Sequence, residues 1–379
     1  MEIAELREAH HRVLAQEIVA AEDVPPFDNS GMDGYAVRSE DVARVPIELR
    51  LVGEVKAGQA AAGELGHGEA IRIMTGGKVP LGADAVVQIE WTESVDGTSV
   101  RVLNSVPSGH NIRRAGEDIR RGQKVFGKGS ELRAAELGVL ASLGKKTVEV
   151  YRVPHVAVLG TGNELVDIDQ PLTPGKIRNS NSYALLALLR ETNVLSVDLG
   201  VAADDRSDLR EKILRGLESD VLVTTGGASV GSYDLVQEVL REIGAEIKFW
   251  KVNIKPGMPL LFGLYIGKPV FGLPGNPVST FVTFIRFVRP ALRKMMGACS
   301  PEKGITLHAR LEHEIKKSDR KRHFLRAVLD SNGRDLMVRT TGSQTSNVLT
   351  SLVKANCLMI IPEQVDFLKK GDFVEVELL

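Results

Sequence analysis

The sequence predicts a multidomain α/β plus β protein built around a doubly wound α/β domain, and three observations carry that expectation. At 379 residues the chain exceeds what one hydrophobic core holds, so roughly two to four domains are expected. Between Pro154 and Met296 short apolar runs alternate with helical patterns, the signature of βαβ units. On both sides the period changes to short alternating runs between polar turns. That change predicts a β-rich region before the α/β segment and a small β-barrel after it.

Residues 2–19 place Ile3, Leu6, Val13, Leu14 and Ile18 on one face at helical spacing, which predicts a helix ended by Pro25-Pro26. The loop FDNSGMDGYAVRSED then gathers Asp, Asn and Gly around Asp33-Gly34, more polar side chains than a hairpin turn needs. From Val45 to Val102 the chain reads as β: Val45, Ile47, Leu49 and Leu51 alternate, and Ile71, Ile73, Val86, Val87, Ile89, Val100 and Val102 continue the pattern. Met74-Thr75-Gly76-Gly77 interrupts it with a glycine turn that carries a hydroxyl. The stretch NIRRAGEDIRRGQKVFGKGS is basic and glycine-rich, and on charge alone it is a solvated loop. A short helix is expected over residues 132–143, stopped by Gly144.

In the α/β segment, residues 156–159 form a strand followed by GTGNE, and helix 182–191, strand 194–199 and helix 209–217 come next. Val221-Leu222-Val223 suits a strand buried on both faces. It opens VLVTTGGASVGSYD, whose glycines break the strand before a helical pattern resumes at Leu235, Val239 and Leu240. Residues 245–252 form another strand running into KVNIKPG, and residues 270–273 form the last, before PGNPVS opens a long apolar helix. Right-handed crossovers bring the C-terminal ends of such strands to one edge of the sheet. Glu164, Asp204-Asp205, Ser229 with Asp234, and Asn276 with Ser279 all follow strands. One such loop is a turn or a helix cap; four at one edge point to a site. Beyond Cys299, residues 305–311, 324–329, 336–339, 358–361 and 373–378 read as the five short strands of the barrel.

Composition excludes several classes. A net charge of −1 gives no bulk affinity for nucleic acid or membrane. The two cysteines, Cys299 and Cys357, suit neither a disulfide framework nor a zinc site. No basic-then-apolar leader is visible, and no apolar run reaches the ~18 residues of a membrane span. A cytoplasmic location is expected.

The glycine turns Gly160-Thr161-Gly162, Gly226-Gly227 and Gly275-Asn276 offer backbone donors to a phosphate. Pro277 suits a first helical position with Asn276 as its cap. Glu164, Asp205 and Asp234 suit a hard divalent cation, or else helix caps. Lys251 and Lys255 suit a phosphate or oxyanion, or else are ordinary solvated lysines. Jointly these groups point to Mg²⁺-assisted work on a phosphorylated ligand. GxxxxGK[ST] is absent, GTGNEL lacks the third glycine of a dinucleotide fingerprint, and the histidines form no ligand cluster.

PPFDNSGMDGYAVR, IRIMTGGKVPLGADAVV, NIRRAGEDI, TGNELV, TTGGASVGSYD, KPGMP and GLPGNPVS resemble, in order and over essentially the whole chain, the molybdopterin molybdenumtransferases. This is the MoeA family, which includes the gephyrin E domain. The resemblance implies insertion of molybdate into adenylylated molybdopterin, with release of AMP, formation of molybdenum cofactor, and a need for Mg²⁺. It further implies a homodimer with a site shared between subunits. The adenylyltransferase that makes the substrate and chaperones of molybdoenzymes are its further partners.

The implied plan is a split segment of residues 1–23 and 124–152, an inserted β-rich domain of 24–123, an α/β molybdopterin-binding domain of 153–298 and a C-terminal barrel of 299–379. By resemblance, Asp33, Thr75, Glu164, Asp205, Asp234, Lys251 and Lys255 are catalytic, with Glu164 and Asp234 holding the metal. Arg113, Asp118, Gly226, Gly227, Ser229, Pro274, Gly275, Asn276, Pro277, Ser279, Arg326 and Ser346 match substrate-binding positions. Met258 stands where KPGKP often has lysine, removing a positive charge, and Gly31 where SAMDGYA has alanine. The alternatives are the related adenylylation of molybdopterin, which resembles a stand-alone α/β domain, and a gephyrin-like scaffold. The intact acidic positions favour an enzyme.

Overall fold

The computed structural model describes residues 1–59, 61–226, 235–300, 304–331 and 333–379. The chain folds as two units, one of residues 3–10 and 14–150, the other of residues 1–2, 11–13 and 151–379.

In the first unit, strands β1 (Gly34–Val37), β2 (Ile47–Val55), β3 (Glu69–Ile73), β4 (Ala85–Gln88), β5 (Thr92–Ser94) and β6 (Ser99–Val102) form one sheet in the order β4-β1-β3-β2-β6-β5. Only β2 and β3 run parallel. Alternation sends Tyr35, Val37, Leu49, Val87 and Val100 into one apolar cluster and Ala36, Val55, Ile71, Ile73 and Val86 into another. The sheet is thus covered on both sides. Gly34 sits where a Cβ would meet the Val87 carbonyl oxygen at 2.0 Å, so only glycine lets β1 lie against β4 there. Helix α1 (Ala134–Ser142) ends before Gly144, whose φ of +69 makes the stop.

The helix expected over residues 2–19 is not formed. Glu2–Glu5 is a strand, Leu6–Glu8 a single 3-10 turn, and Ile18–Val19 a strand paired with Lys124–Phe126. The backbone N–H groups of Leu6, Leu14, Ala15 and Ala20 donate to the carbonyls of Lys146, Ser130, Glu149 and Gln123. Distant pairing therefore replaces the i→i−4 ladder, and Ile3, counted on the apolar face, is 77% exposed. Periodicity is a weak prior when a remote partner can satisfy the backbone.

The second unit runs through β7 (His155–Thr161), α2 (Ser180–Glu191), β8 (Leu195–Ala202), α3 (Arg206–Gly216), β9 (Val221–Thr225), α4 (Leu235–Glu242), β10 (Glu246–Phe249), β11 (Ile254–Lys255), β12 (Leu261–Tyr265), β13 (Lys268–Leu273), α5 (Pro277–Thr283) and α6 (Arg289–Met295). The sheet order is β8-β7-β9-β13-β12-β10, with the first four strands parallel. Leu185, Leu188 and Leu189 of α2 cluster with Val156, Val158, Val221 and Val223 on one face. Leu209 and Ile213 of α3, with Val236, Val239 and Leu240 of α4, cover Ala157, Leu159 and Leu222 on the other. This is the doubly wound arrangement, and it explains why β9 is apolar at every early position.

Strand β12 was not expected from the sequence. It runs antiparallel to β13 through the two-residue turn Ile266-Gly267, with φ of +48 and +78. A turn of that hand normally announces itself with Asn-Gly or Asp-Gly; isoleucine hides it. Between α5 and α6, Phe284–Val288 forms a π turn, placed where Pro290 lacks the N–H of a regular helical bond.

Strands β14 (Thr306–Leu311), β15 (Arg322–Ser331), β16 (Leu336–Thr340), β17 (Cys357–Ile361) and β18 (Phe373–Leu378) close into a five-stranded barrel, with β17 returning to β15. Its interior holds Leu311, Leu325, Ala327, Val338, Met359 and Val376. Strand β11 adds in parallel to β15, pairing Lys255 with His323. The segment after β10 thereby becomes part of the barrel's edge. Among the described residues no helix is long and apolar enough to cross a membrane.

Candidate functional site

Where β11 meets the barrel, the second unit encloses a cleft of about 1020 Å³. Its walls are Lys255 to Pro259, Asn276 and Ser279 at the start of α5, and the barrel loops carrying Lys316, Lys321, Gln344 and Ser346. Pro277 occupies the first turn of α5, as its fixed φ favours. The Val278 N–H donates to the Ser346 carbonyl at 3.1 Å, which docks the 343–347 loop on that helix start.

Arg326 is fully buried in the cleft floor and, among the described residues, faces no carboxylate. Its Nε donates to Ser351 Oγ at 3.0 Å, its Nη1 to the Gln344 carbonyl at 3.2 Å, and its Nη2 to the carbonyls of Ser343 and Thr345. Burial lowers its pKa to about 10. Expected to touch an oxyanion, Arg326 spends most of its donors holding the loop that presents Ser346, and adds a buried positive charge behind it.

The two lysines part company. Lys251 lies over the Trp250 ring, 4.2 Å from its centroid. Lys255 enters the cleft and donates to Asp319 Oδ2 at 3.2 Å. Asp319 Oδ1 also lies 2.7 Å from His323 Nε2. Burial opposes the charge on Asp319, but His323, the Lys321 N–H and Lys255 outweigh it and hold the carboxyl well below the usual carboxylate range. Met258 lines the same wall.

At the sheet edge the residues that follow β7 pair with those that follow β8, and Gly226, after β9, lies against Thr161 and Gly275. A Cβ on Gly226 would come 2.2 Å from the Thr161 carbonyl oxygen, so the β9 loop closes on β7 only through a glycine. Asn181 Nδ2 donates to Thr225 Oγ1 at 3.0 Å and to the Gly275 carbonyl at 2.8 Å, tying that edge to the turn Pro274-Gly275. Asp204 and Asn163 exchange backbone-to-side-chain hydrogen bonds of 3.0 Å each.

Asp205 caps α3, accepting from the N–H groups of Ser207 and Asp208 at 3.0 Å. Glu164 is exposed, beside Gly162, and its carboxylate meets no donor among the described residues. No group of three or more metal-type side chains forms among the described residues. A free carboxylate suits Mg²⁺, which keeps several waters and takes one or two protein carboxylates. Gly227, Ser229 and Asp234 lie outside the described residues.

In the first unit, Asp33 and Thr75 come together. The Thr75 N–H and Oγ1 donate to Asp33 Oδ1 at 2.6 and 2.7 Å, and these bonds hold the carboxyl below its ordinary pKa. Arg113 lies on a two-stranded ribbon opposite Asn29, exposed, as is Asp118. A Cβ on Gly31 would stand 3.3 Å from the Asn111 carbonyl oxygen, a tight approach, and 3.8 Å from Arg113 Nε, an ordinary contact.

Asp28 was missed. It accepts from Arg114 Nη1 at 2.6 Å and the Ala115 N–H at 2.8 Å, pinning the basic loop. Its signal was present in the polar crowding of FDNSGMDG. Asp319 and His323 were missed for lack of any motif: their meeting with Lys255 depends on the β11–β15 register.

Three family descriptions match the chain: the MoeA N-terminal region (domain I and II) over residues 1–144, a probable molybdopterin binding domain over 157–294, and the MoeA C-terminal region (domain IV) over 308–379. The molybdopterin molybdenumtransferase of Haemophilus influenzae is 36% identical over 99% of this chain and 93% of its own. That of a Nostoc species is 35% identical over 99% and 88%. Among solved structures, the molybdopterin biosynthesis MoeA protein of Pyrococcus horikoshii aligns with a TM-score of 0.84 at 34% identity, covering 100% of this chain and 94% of its own.

Proposed function

The chain belongs to the MoeA family of molybdopterin molybdenumtransferases, and from that membership we propose that it inserts molybdate into adenylylated molybdopterin, with release of AMP. It is a transferase of molybdenum cofactor biosynthesis. The observation that carries the finer reading is the charge of the cleft. Lys255, Lys316, Lys321 and the buried Arg326 line it against Glu314. A tetrahedral dianion finds there an ammonium at Lys255 and hydroxyls at Ser279 and Ser346, with the uncompensated Arg326 charge behind them.

In this reading, Gly226, Gly227, Ser229, Pro274, Gly275, Asn276 and Pro277 receive the phosphorylated pterin, since glycine turns that follow parallel strands offer backbone donors to a phosphate. Lys251 adds positive charge at the same strand end, and Asp205 orders the loop before α3. Glu164 and Asp234 hold Mg²⁺, which when bound neutralises phosphate charge as AMP leaves. Asp33, Thr75, Arg113 and Asp118 complete the site from the partner subunit of a homodimer. The adenylyltransferase and molybdoenzyme chaperones are the protein partners, in the cytoplasm, with no nucleic acid and no membrane.

The test is AMP release by purified protein given adenylylated molybdopterin and Mg²⁺. Release should begin only when molybdate is added. Release that ignores molybdate, or none at all with both substrates bound, removes the proposal.

A further inference from the structure

Resting on the reading that the cleft takes molybdate, we propose that Asp319 is a positioning residue: it holds the Lys255 ammonium at the cleft wall where the oxyanion docks, and His323 aims it. The Lys255 side chain is 58% exposed, and a free lysine in that setting spreads over many rotamers. Asp319 Oδ2 is the group that fixes its end, at 3.2 Å.

Asp319 is itself held at its other oxygen. His323 Nε2 lies 2.7 Å from Oδ1, and the Lys321 N–H donates to Oδ1 at 3.2 Å. His323 is nearly buried and stands opposite Lys255 in the β11–β15 register. The turn that carries Asp319 is anchored by Lys317, which is buried and donates to the carbonyls of Lys321, Pro362 and Glu363. The chain of support thus runs from a buried lysine through a fixed turn and a carboxylate to the exposed ammonium.

Charge states complete the argument. Asp319 stays ionised, as its bonds outweigh its burial. Burial pushes His323 down, beyond what Asp319 restores, with Lys255 and Lys317 adding to the push. A neutral imidazole donates a hydrogen bond to Asp319 without cancelling its charge. The full negative charge remains for Lys255.

The experiment uses the full-length protein, titrated with molybdate alone by calorimetry and assayed for AMP release. Asp319→Ala should raise both the Kd and the KM for molybdate about tenfold, the scale of one lost charge-assisted contact, while kcat stays within about twofold. Asp319→Glu should recover most of the affinity, and His323→Gln should cost less than Asp319→Ala. If Asp319→Ala and Asp319→Asn bind molybdate as tightly as the unsubstituted protein while Lys255→Ala does not, Asp319 positions nothing and the proposal falls. If Lys255→Ala itself binds molybdate normally, the molybdate reading of the cleft falls instead.

Discussion

Asp33 and Thr75, 42 positions apart, are joined by two hydrogen bonds to a single carboxylate oxygen, one from the Thr75 backbone and one from its hydroxyl. The register Gly34↔Ile73 between β1 and β3 brings the two turns to one end of the sheet. The backbone N–H is the larger cause of the lowered Asp33 pKa, followed by the hydroxyl, with Arg72 assisting. Asp33 is therefore a fixed acceptor and a permanent charge at working pH, not a proton donor.

Thr75→Val keeps the backbone donor and deletes the hydroxyl. The Asp33 pKa, read from the carboxyl carbon by NMR titration, should rise and still stay below the ordinary value of about 3.9. An unmoved titration would show that the hydroxyl bond contributes nothing.

A site shared between subunits predicts complementation. Asp33→Ala and Asp234→Ala proteins, each inactive, should regain AMP release when mixed and re-equilibrated, since one good site forms per heterodimer. Persistent inactivity of a verified heterodimer would sink the shared site.

Lys255→Ala and Arg326→Leu should separate binding from stability. The first removes an exposed ammonium and should weaken molybdate binding by roughly 1.5–3 kcal/mol with the melting temperature nearly unchanged. The second strands the carbonyls of residues 343–345 in the cleft floor. It should destabilise the protein by about 3 kcal/mol or more in a denaturant titration. Equal stability of the two variants would remove the loop-holding role of Arg326.

Asp205 caps α3, so Asp205→Ala should cost about 1 kcal/mol of stability, and Asp205→Asn only a few tenths. Turnover by Asp205→Asn supplies the second half of the experiment. Full activity leaves the cap as the whole role of Asp205; a loss with unchanged melting assigns a role to its charge.

His323 makes a signed pH prediction. Its folded pKa lies below the unfolded value of about 6.5, so the unfolded chain takes up the proton first. Stability from this group is complete above about pH 6.5 and declines as pH falls toward the folded pKa. The gap in unfolding free energy between the unsubstituted protein and His323→Gln should therefore shrink on going from pH 7.5 to pH 5.5. A gap that widens over this range contradicts the assignment.

Where the chain's own pattern decided the local structure, the sequence was enough. Val221-Leu222-Val223 needed no partner to read as a strand buried on both faces, because helices must cover both sides of a parallel sheet. The polar loops after β7, β8 and β13 followed, since parallel strands put their C-terminal ends at one edge. The five barrel strands alternated, and their turns were polar. The crowded FDNSGMDG and MTGG turns stood out in the sequence before the meeting of Asp33 with Thr75 was visible.

Tertiary structure alone decided the rest, because long-range pairing leaves no local trace. Residues 2–19 carry a helical period, yet their N–H groups find carbonyls more than a hundred positions away. Ile266 takes a left-handed turn that its β-branched side chain disfavours, and that turn leads β12 into its antiparallel pairing with β13. Lys251 and Lys255 look equivalent four residues apart. The register of β11 on β15 sends only Lys255 to Asp319, and leaves Lys251 on Trp250. Arg326 reads from the sequence as a ligand contact, and only the fold shows that it also holds the carbonyls of residues 343–345. Which donors a side chain has left for a ligand depends on what packs around it, and that is settled only when the whole chain has folded.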